Sequence, residues 1–391
     1  MNILYVGSFR LPCFDAAASR VLNVARALRA GGHCVSFISW GGKQRSEDLN
    51  TNGEYVYDGF PYVITDEIDF NGGVFGKLKG WIKQGSRTKE ILKERLGKYD
   101  AIIAYNCSII RWLIPFCKKN GVKLVTDITE WYEYNELKPI MWPGYAWDMC
   151  YYQKRVKNKI VISQYLNKYY SSSHNVVIPA TCDASESKWQ KGKDKFEELS
   201  ASFDGVTLIY AGNPARKDAV HYVIKAVNTL ANEGAKIRFL IVGITKEQYV
   251  ERYKKMLKGI ELDDAIKFLG RVSQDEVPSY YALSDFMVLL REPNRKSNAG
   301  FPTKFSESFI SGTPVIANIT SDLGNYLKDG ETGFIVSEPR EEDIYRTLKD
   351  KVLSLNKIEI EKIKSNVRKS AKQLDYRSYI EPLRVFMSNL K

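Results

Sequence analysis

Asn298-Ala-Gly-Phe-Pro-Thr-Lys-Phe-Ser-Glu-Ser-Phe-Ile-Ser-Gly-Thr-Pro-Val-Ile-Ala-Asn318 is the stretch that decides the fold. A glycine-containing loop opens a short helix that ends at Gly312, and a strand, Pro314 to Ala317, follows at once. Just upstream, Asp285-Phe-Met-Val-Leu-Leu290 is an apolar run of strand length, so the unit reads strand, loop, helix, strand, the right-handed crossover that makes a parallel sheet. The loop then lies at the carboxyl end of a parallel strand, the edge where open α/β sheets bind ligands. A helix start there presents backbone N–H groups and partial positive charge to an anion, and Gly300 has no Cβ to hold a phosphate away. Lys304, in the first turn, opposes the helix dipole at a cost of about a few tenths of a kcal/mol unless an anion lies between them.

At 391 residues, 44% of them apolar, the chain is long enough for two well-filled cores. No apolar run reaches the roughly 18 residues that a membrane span needs. Met1-Asn-Ile-Leu-Tyr-Val-Gly7 has no basic leader and reads as a first strand, not a signal peptide. Cysteines 13, 34, 107, 117, 150 and 182 are scattered without metal-ligand spacing, the pattern of reduced thiols in a cytosolic protein. The net charge of +12 is uneven: residues 1–182 carry +8 and the remainder +4. A basic N-terminal half suggests an acidic partner, such as an anionic membrane surface or a phosphorylated substrate. No nucleic-acid motif with interleaved aromatics is present, so nucleic acid is not expected as a partner.

In chain order, Asn2 to Val6 is a strand, Gly7 to Pro12 a loop, and Ala16 to Ala30 a helix stopped by Gly31-Gly32, with Cys34 to Trp40 the second strand. Residues 43–75 are irregular apart from a strand at Tyr62 to Thr65. Between 75 and 98, Lys77, Lys79, Lys83, Arg87, Lys89, Lys93, Arg95 and Lys98 share a helical stretch with Leu78, Trp81, Ile82, Ile91, Leu92 and Leu96. That composition fits a helix lying on anionic headgroups; a solvated basic face on a packed helix, which charge runs usually are, is the other reading. Asp100 to Ala104 and Val122 to Thr126 are strands, the second running into Asp127-Ile-Thr-Glu-Trp-Tyr132 at the carboxyl edge; segments beginning at Ile160 and Asn175 complete the sheet. Residues 184–205 have the polar composition of a linker. A second series starts with the strand Val206 to Tyr210, the glycine loop Ala211-Gly-Asn-Pro-Ala-Arg-Lys-Asp218 and the helix Ala219 to Leu230, followed by the strand Phe239 to Gly243 and the segment Lys267 to Ser273. Glu341 to Lys372 is helical, and 374–390 has the pattern of a last helix.

Gly300-Phe-Pro-Thr-Lys-Phe-Ser-Glu-Ser-Phe-Ile-Ser-Gly-Thr-Pro-Val-Ile-Ala317 resembles the donor-site signature of family 4 (group 1) glycosyltransferases. The resemblance runs along nearly the whole chain and is strongest over 206–336. It implies an α/β fold of the GT-B type, two facing Rossmann-like doubly wound domains with a C-terminal helix crossing back. The domains would be 1–183, joined by about 374–391, and 206–373, with the linker at 184–205. By the same resemblance Glu307 binds the nucleotide ribose. The loop Asn298, Gly300 and Phe301, with Lys304, wraps the donor sugar and its phosphate. Lys217 and Arg216 neutralise the diphosphate beside Gly212 and Gly243, and Arg271 and Val272 hold the base. Asp127 and Glu130 would face the sugar and acceptor, with Ala16, Ala17 and Arg20 lining the acceptor side.

Three departures from the family pattern stand out. Ala299 occupies the place of the first of two glutamates, Ala16-Ala17 replaces a usual glycine pair, and Asn213 stands where arginine is common. The resemblance implies a retaining, metal-independent transfer from a nucleotide sugar to a glycan or lipid-linked acceptor, by a cytoplasmic protein peripheral to the membrane and engaged in surface polysaccharide assembly. No cofactor is expected. Two rivals stand beside this reading: a sugar-nucleotide epimerase, which would use the same donor site without a second substrate, and a non-catalytic glycan-binding partner subunit, motivated by Ala299 and the missing glycine pair.

Overall fold

In a run such as Ile3-Leu4-Tyr5-Val6, alternate side chains leave opposite faces of a strand, so burial of all four requires cover on both faces of the sheet. The computed structural model describes residues 1–12, 15–65, 67, 83–132, 142–189, 203–214, 218–257 and 260–391. It divides into two units, one formed by Met1–Thr181 with Tyr376–Lys391 and the other by Cys182–Asp375.

The first unit holds β1 (Asn2–Leu11), β2 (Cys34–Gly42), β3 (Val56–Tyr57), β4 (Phe60–Ile64), β5 (Ala101–Tyr105), β6 (Lys123–Ile128), β7 (Asn158–Val161) and β8 (His174–Val177). They lie in the order β3-β4-β2-β1-β5-β6-β7-β8, parallel except for the β3–β4 hairpin. Ile3 and Tyr5 join one apolar layer with the helix Ala16–Ala30, while Leu4 and Val6 join the other with the helix Ile110–Asn120. The helix Ile380–Ser388 adds Leu383, Phe386 and Met387 to the first of these layers. The Phe386 ring stacks on His174 at 4.8 Å, and Lys391 exchanges two backbone hydrogen bonds with the Asn158 side chain.

The second unit holds β9 (Val206–Ala211), β10 (Ile237–Val242), β11 (Ile266–Gly270), β12 (Phe286–Leu289), β13 (Val315–Ala317) and β14 (Gly333–Ile335). All are parallel in the order β11-β10-β9-β12-β13-β14, the doubly wound arrangement whose direction reverses between β9 and β12.

Several sequence expectations need correction. β1 does not stop at Val6: a register shift after Gly7 lets it continue to Leu11, where the Ser39 hydroxyl takes the Leu11 N–H and donates to the Phe9 carbonyl. The described residues of 43–75 contain two strands, not one. Arg295–Ala299, read as loop, is a short helix capped by Asn294. The helical stretch from Glu341 is interrupted before Lys357, where Asn356 and Glu359 form a capping box that starts a new helix. Of the basic stretch 75–98, Lys77, Lys79, Leu78, Trp81 and Ile82 lie outside the described residues, as do 190–202 of the 184–205 segment. Ser86–Glu94 is helical. No helix among the described residues is long and apolar enough to cross a membrane.

Lys159, on β7, is fully buried. Its ammonium donates to the Val156 carbonyl and, at 2.6 Å, to the Ser173 hydroxyl, and burial lowers its pKa from 10.5 to about 7. The unfolded chain therefore binds more protons than the folded one between those two values, and stability rises with pH across that window. We expect this group to contribute up to about 1.4 kcal/mol per pH unit. Urea unfolding at pH 7, 8 and 9 should show a shallower slope for Lys159→Met, and parallel slopes would refute the assignment.

Candidate active site

The reversal point of the second sheet is built by the residues that leave β9 and β12. Gly212 leaves β9 at φ 126° and Gly243 leaves β10 at φ 112°, conformations that glycine adopts without strain. A Cβ on Gly243 would lie 2.6 Å from the Gly212 carbonyl carbon, and one on Gly212 would lie 2.5 Å from Cε of Lys304. The two glycines thus let a backbone loop and a lysine stem stack in a space that side chains would fill. Lys304, on the helix Thr303–Ile310, brings Nζ within 3.5 Å of Asp218 and 5.1 Å of the Tyr210 ring centre.

Asp218 is 3% exposed. It accepts from the Tyr210 hydroxyl at 2.6 Å and from Arg291 Nε at 3.2 Å. Burial first, and then the Asp218 charge, push the Tyr210 phenol well above its usual range, so it remains a donor to the carboxylate. Arg291 follows β12, and its backbone N–H and C=O are both bound by the Asn318 carboxamide, at 2.9 and 2.7 Å. Arg291 and Lys304 thus face the same Asp218 carboxylate from two elements.

Beside it, Asn213 accepts from Arg252 at 2.5 Å, and Pro214 accepts from Arg252 and Tyr253, so the helix Lys246–Tyr253 fixes the loop. Arg216 and Lys217 fall outside the described residues. Glu307 is half-buried; burial raises its pKa against the pull of the Lys304 and Lys188 ammonium groups. Phe301 is buried, its ring edge-on to Phe305 and Tyr326. Gly300 is in an extended conformation open to any residue, so the glycine is not required there by backbone geometry. Ala299 is fully buried, and the neighbouring Asn298 accepts from the Ser321 N–H at 3.0 Å. Arg271 is exposed and Val272 half-buried, just beyond β11.

In the first unit the expectation for Asp127 and Arg20 is corrected. Asp127 does not follow β6; it lies within it, opposite Tyr105 and Ile160. The carboxylate is 1% exposed and is held by Arg20 Nη2 at 2.8 Å, by Arg20 Nε and by the Tyr5 hydroxyl. Arg20, 4% exposed, spends its remaining donors on the carbonyls of Ile178 and Pro179. A carboxylate surrounded in this way has no lone pair turned to a substrate. Glu130 is half-buried and accepts from Tyr132; Ala16 is exposed and Ala17 half-buried at the start of their helix, which Asp15 caps. Among the described residues no group of three or more His, Cys, Asp or Glu is placed to hold a metal ion.

Residues 193–373 match the family described as Glycosyl transferases group 1. That match takes in most of the second unit and none of the first. It is 22% identical to an uncharacterized glycosyltransferase of Haemophilus influenzae, over 84% of each chain. It is also 22% identical to the lipopolysaccharide 1,2-N-acetylglucosaminetransferase of Salmonella typhimurium, over 56% of this chain and 58% of that one. Among solved structures, Anabaena HepE in complex with UDP and glucose superposes over 100% of both chains with a TM-score of 0.72 at 16% identity. Sucrose-phosphate synthase of Thermosynechococcus elongatus gives 0.73 at 14% identity, over 100% of this chain and 98% of that one. The chain has the GT-B fold.

Sequence reading missed Asp218, Arg291, Arg252 and Asn318. Each is a polar residue just outside an apolar strand or on the next helix, and only the strand order brings them together.

Proposed function

We propose that the protein is a retaining glycosyltransferase that moves a sugar from a nucleoside-diphosphate sugar to a glycan or lipid-linked acceptor in bacterial surface polysaccharide assembly. The observation that carries this reading is Lys304, laid across Gly212 at the sheet reversal point with its ammonium 3.5 Å from the already engaged Asp218 carboxylate. Breaking the bond between the anomeric carbon and the diphosphate oxygen puts negative charge on that oxygen. Fixed cations in a low-dielectric site stabilise that charge without reorganisation. Lys304, with Lys217 and Arg216 from the loop after β9, would bind it, and Glu307 would take the ribose hydroxyls. The acceptor hydroxyl then attacks on the face the leaving group vacates, forming the new C–O bond while the departing phosphate oxygen takes its proton. The charges named are the protein's own, so no metal or cofactor enters the scheme.

HepE was crystallised with UDP-glucose, and relatives are named for transfer of N-acetylglucosamine and for dependence on GDP-mannose. These define the donors to try. The basic residues from Lys83 to Lys98 favour an acceptor presented at an anionic membrane, on its cytoplasmic face.

The test is a thermal-shift panel of UDP-glucose, UDP-N-acetylglucosamine and GDP-mannose, followed by product analysis with free and vesicle-borne lipid acceptors. One donor should raise the melting temperature in proportion to its excess over its dissociation constant, and should be consumed only when an acceptor is present. Glu307→Ala should raise the Michaelis constant for that donor with little change in turnover, because the ribose is held equally before and during reaction. Consumption without any acceptor would point to an epimerase, and donor binding without transfer to a partner subunit.

A further inference from the structure

The loops after β12 and β13 are stitched by two reciprocal carboxamide contacts. Asn318, after β13, binds both backbone groups of Arg291, after β12; Asn298, after β12, accepts from the backbone N–H of Ser321, after β13. The first is a neutral latch. The second has two features that packing alone does not require.

Ser321 stands at φ 54°, in the left-handed region that a serine seldom occupies without cause. The hydroxyls of Ser321 and of the buried Thr320 beside it have no hydrogen-bond partner among the described residues, although each is closed off from solvent. A loop that keeps a strained backbone and two unpaired hydroxyls is held in place by something other than its own preference. What it holds is Asn298. The Ser321 N–H needs an acceptor, which fixes Oδ1 of Asn298 toward it and leaves the two hydrogens of Nδ2 as the free end of a half-buried carboxamide. Asn298 directly precedes the buried Ala299, where a glutamate side chain would find no open space, and its helix Arg295–Ala299 is joined by Gly300-Phe-Pro302 to the helix that carries Lys304.

We propose that Asn298 donates from Nδ2 to a hydroxyl oxygen of the donor's sugar, replacing the carboxylate this chain lacks at 299, and that Ser321 is the positioning residue that aims it. This rests on the donor site proposed above. Discrimination of the sugar then comes from an amide donor and not from a charged acceptor, so the contact adds no negative charge beside the diphosphate.

The test compares binding of each nucleotide sugar with binding of its parent nucleotide, UDP or GDP, to the full-length protein. Asn298→Asp keeps an oxygen for the Ser321 N–H but removes the donor. Its new charge acts on the diphosphate of both ligands alike, so the quantity read is the ratio: the nucleotide sugar should lose about tenfold more affinity than the free nucleotide. Ser321→Gly, which accepts the left-handed conformation freely, should bind both ligands as the native protein does. Ser321→Val, which does not, should lose affinity for the sugar nucleotide selectively. Equal weakening of both ligands, or a melting temperature that falls in step with affinity, would reduce the pair to a structural role and overturn the inference. An unchanged ratio in Asn298→Asp would overturn it as well. If no nucleotide sugar binds the native protein, the donor site falls and this inference with it.

Discussion

Arg20→Ala is expected to cost about 3–5 kcal/mol of stability, because it strands the Asp127 carboxylate inside the first sheet with only the Tyr5 hydroxyl beside it. The carbonyls of Ile178 and Pro179 lose their donors in the same step. Asp127→Asn should be costly in turn, since it leaves the guanidinium buried and without a counter-ion. The double variant Arg20→Met with Asp127→Leu should cost much less than the two single changes added together, as apolar groups of similar volume carry no desolvation debt. Denaturant unfolding of the four proteins measures this directly. If Asp127→Asn abolished sugar transfer at unchanged stability, Asp127 would be a catalytic carboxylate after all, and the reading of it as a structural ion-pair partner would fail.

The second large effect belongs to the cations at the reversal point of the other sheet. A group that grips the leaving diphosphate more tightly as charge develops lowers the barrier itself, so its loss should appear in turnover. Lys304→Ala and Lys217→Ala are each expected to reduce turnover on the order of 10²-fold, the scale of losing one oxyanion donor, with a smaller change in the Michaelis constant. Lys304→Arg is informative because the longer guanidinium cannot lie along Gly212 in the same way. Steady-state kinetics with the donor identified by the panel decide the matter. Loss confined to the Michaelis constant would make Lys304 a ground-state binder only.

Local pattern carried much of this fold. The helix Ala16–Ala30 is legible in its spacing and its Gly31-Gly32 stop, and the buried strands are legible as continuous apolar runs. The stretch Asn298–Asn318 announces a loop at a carboxyl edge, which the structure places between β12 and β13. What could not be read is pairing across distance. Arg20 and Asp127 are 107 positions apart, and Asp218 and Arg291 are 73 apart. Spacing holds no record of such contacts, because strand order creates them. Asp127 shows the cost. At the end of an apolar run, a carboxylate bound for a substrate and one bound for a buried arginine look alike, and β6 runs one turn of the pleat further than its apolar residues suggest. Asn298 reads as a loop residue and is the penultimate residue of a short helix, and its tie to a strained serine 23 positions later leaves no trace in the spacing.

The short turn Tyr376–Tyr379 and the helix Ile380–Ser388 complete the core of a unit whose remaining elements end before Cys182. A ribosome therefore releases the whole of the second unit before the first can close, which reverses the usual order in which amino-terminal domains finish folding during synthesis. Until then the face of the sheet that receives Leu383, Phe386 and Met387 is an open apolar surface on a nascent chain, and its protection falls to whatever meets the protein at the exit tunnel.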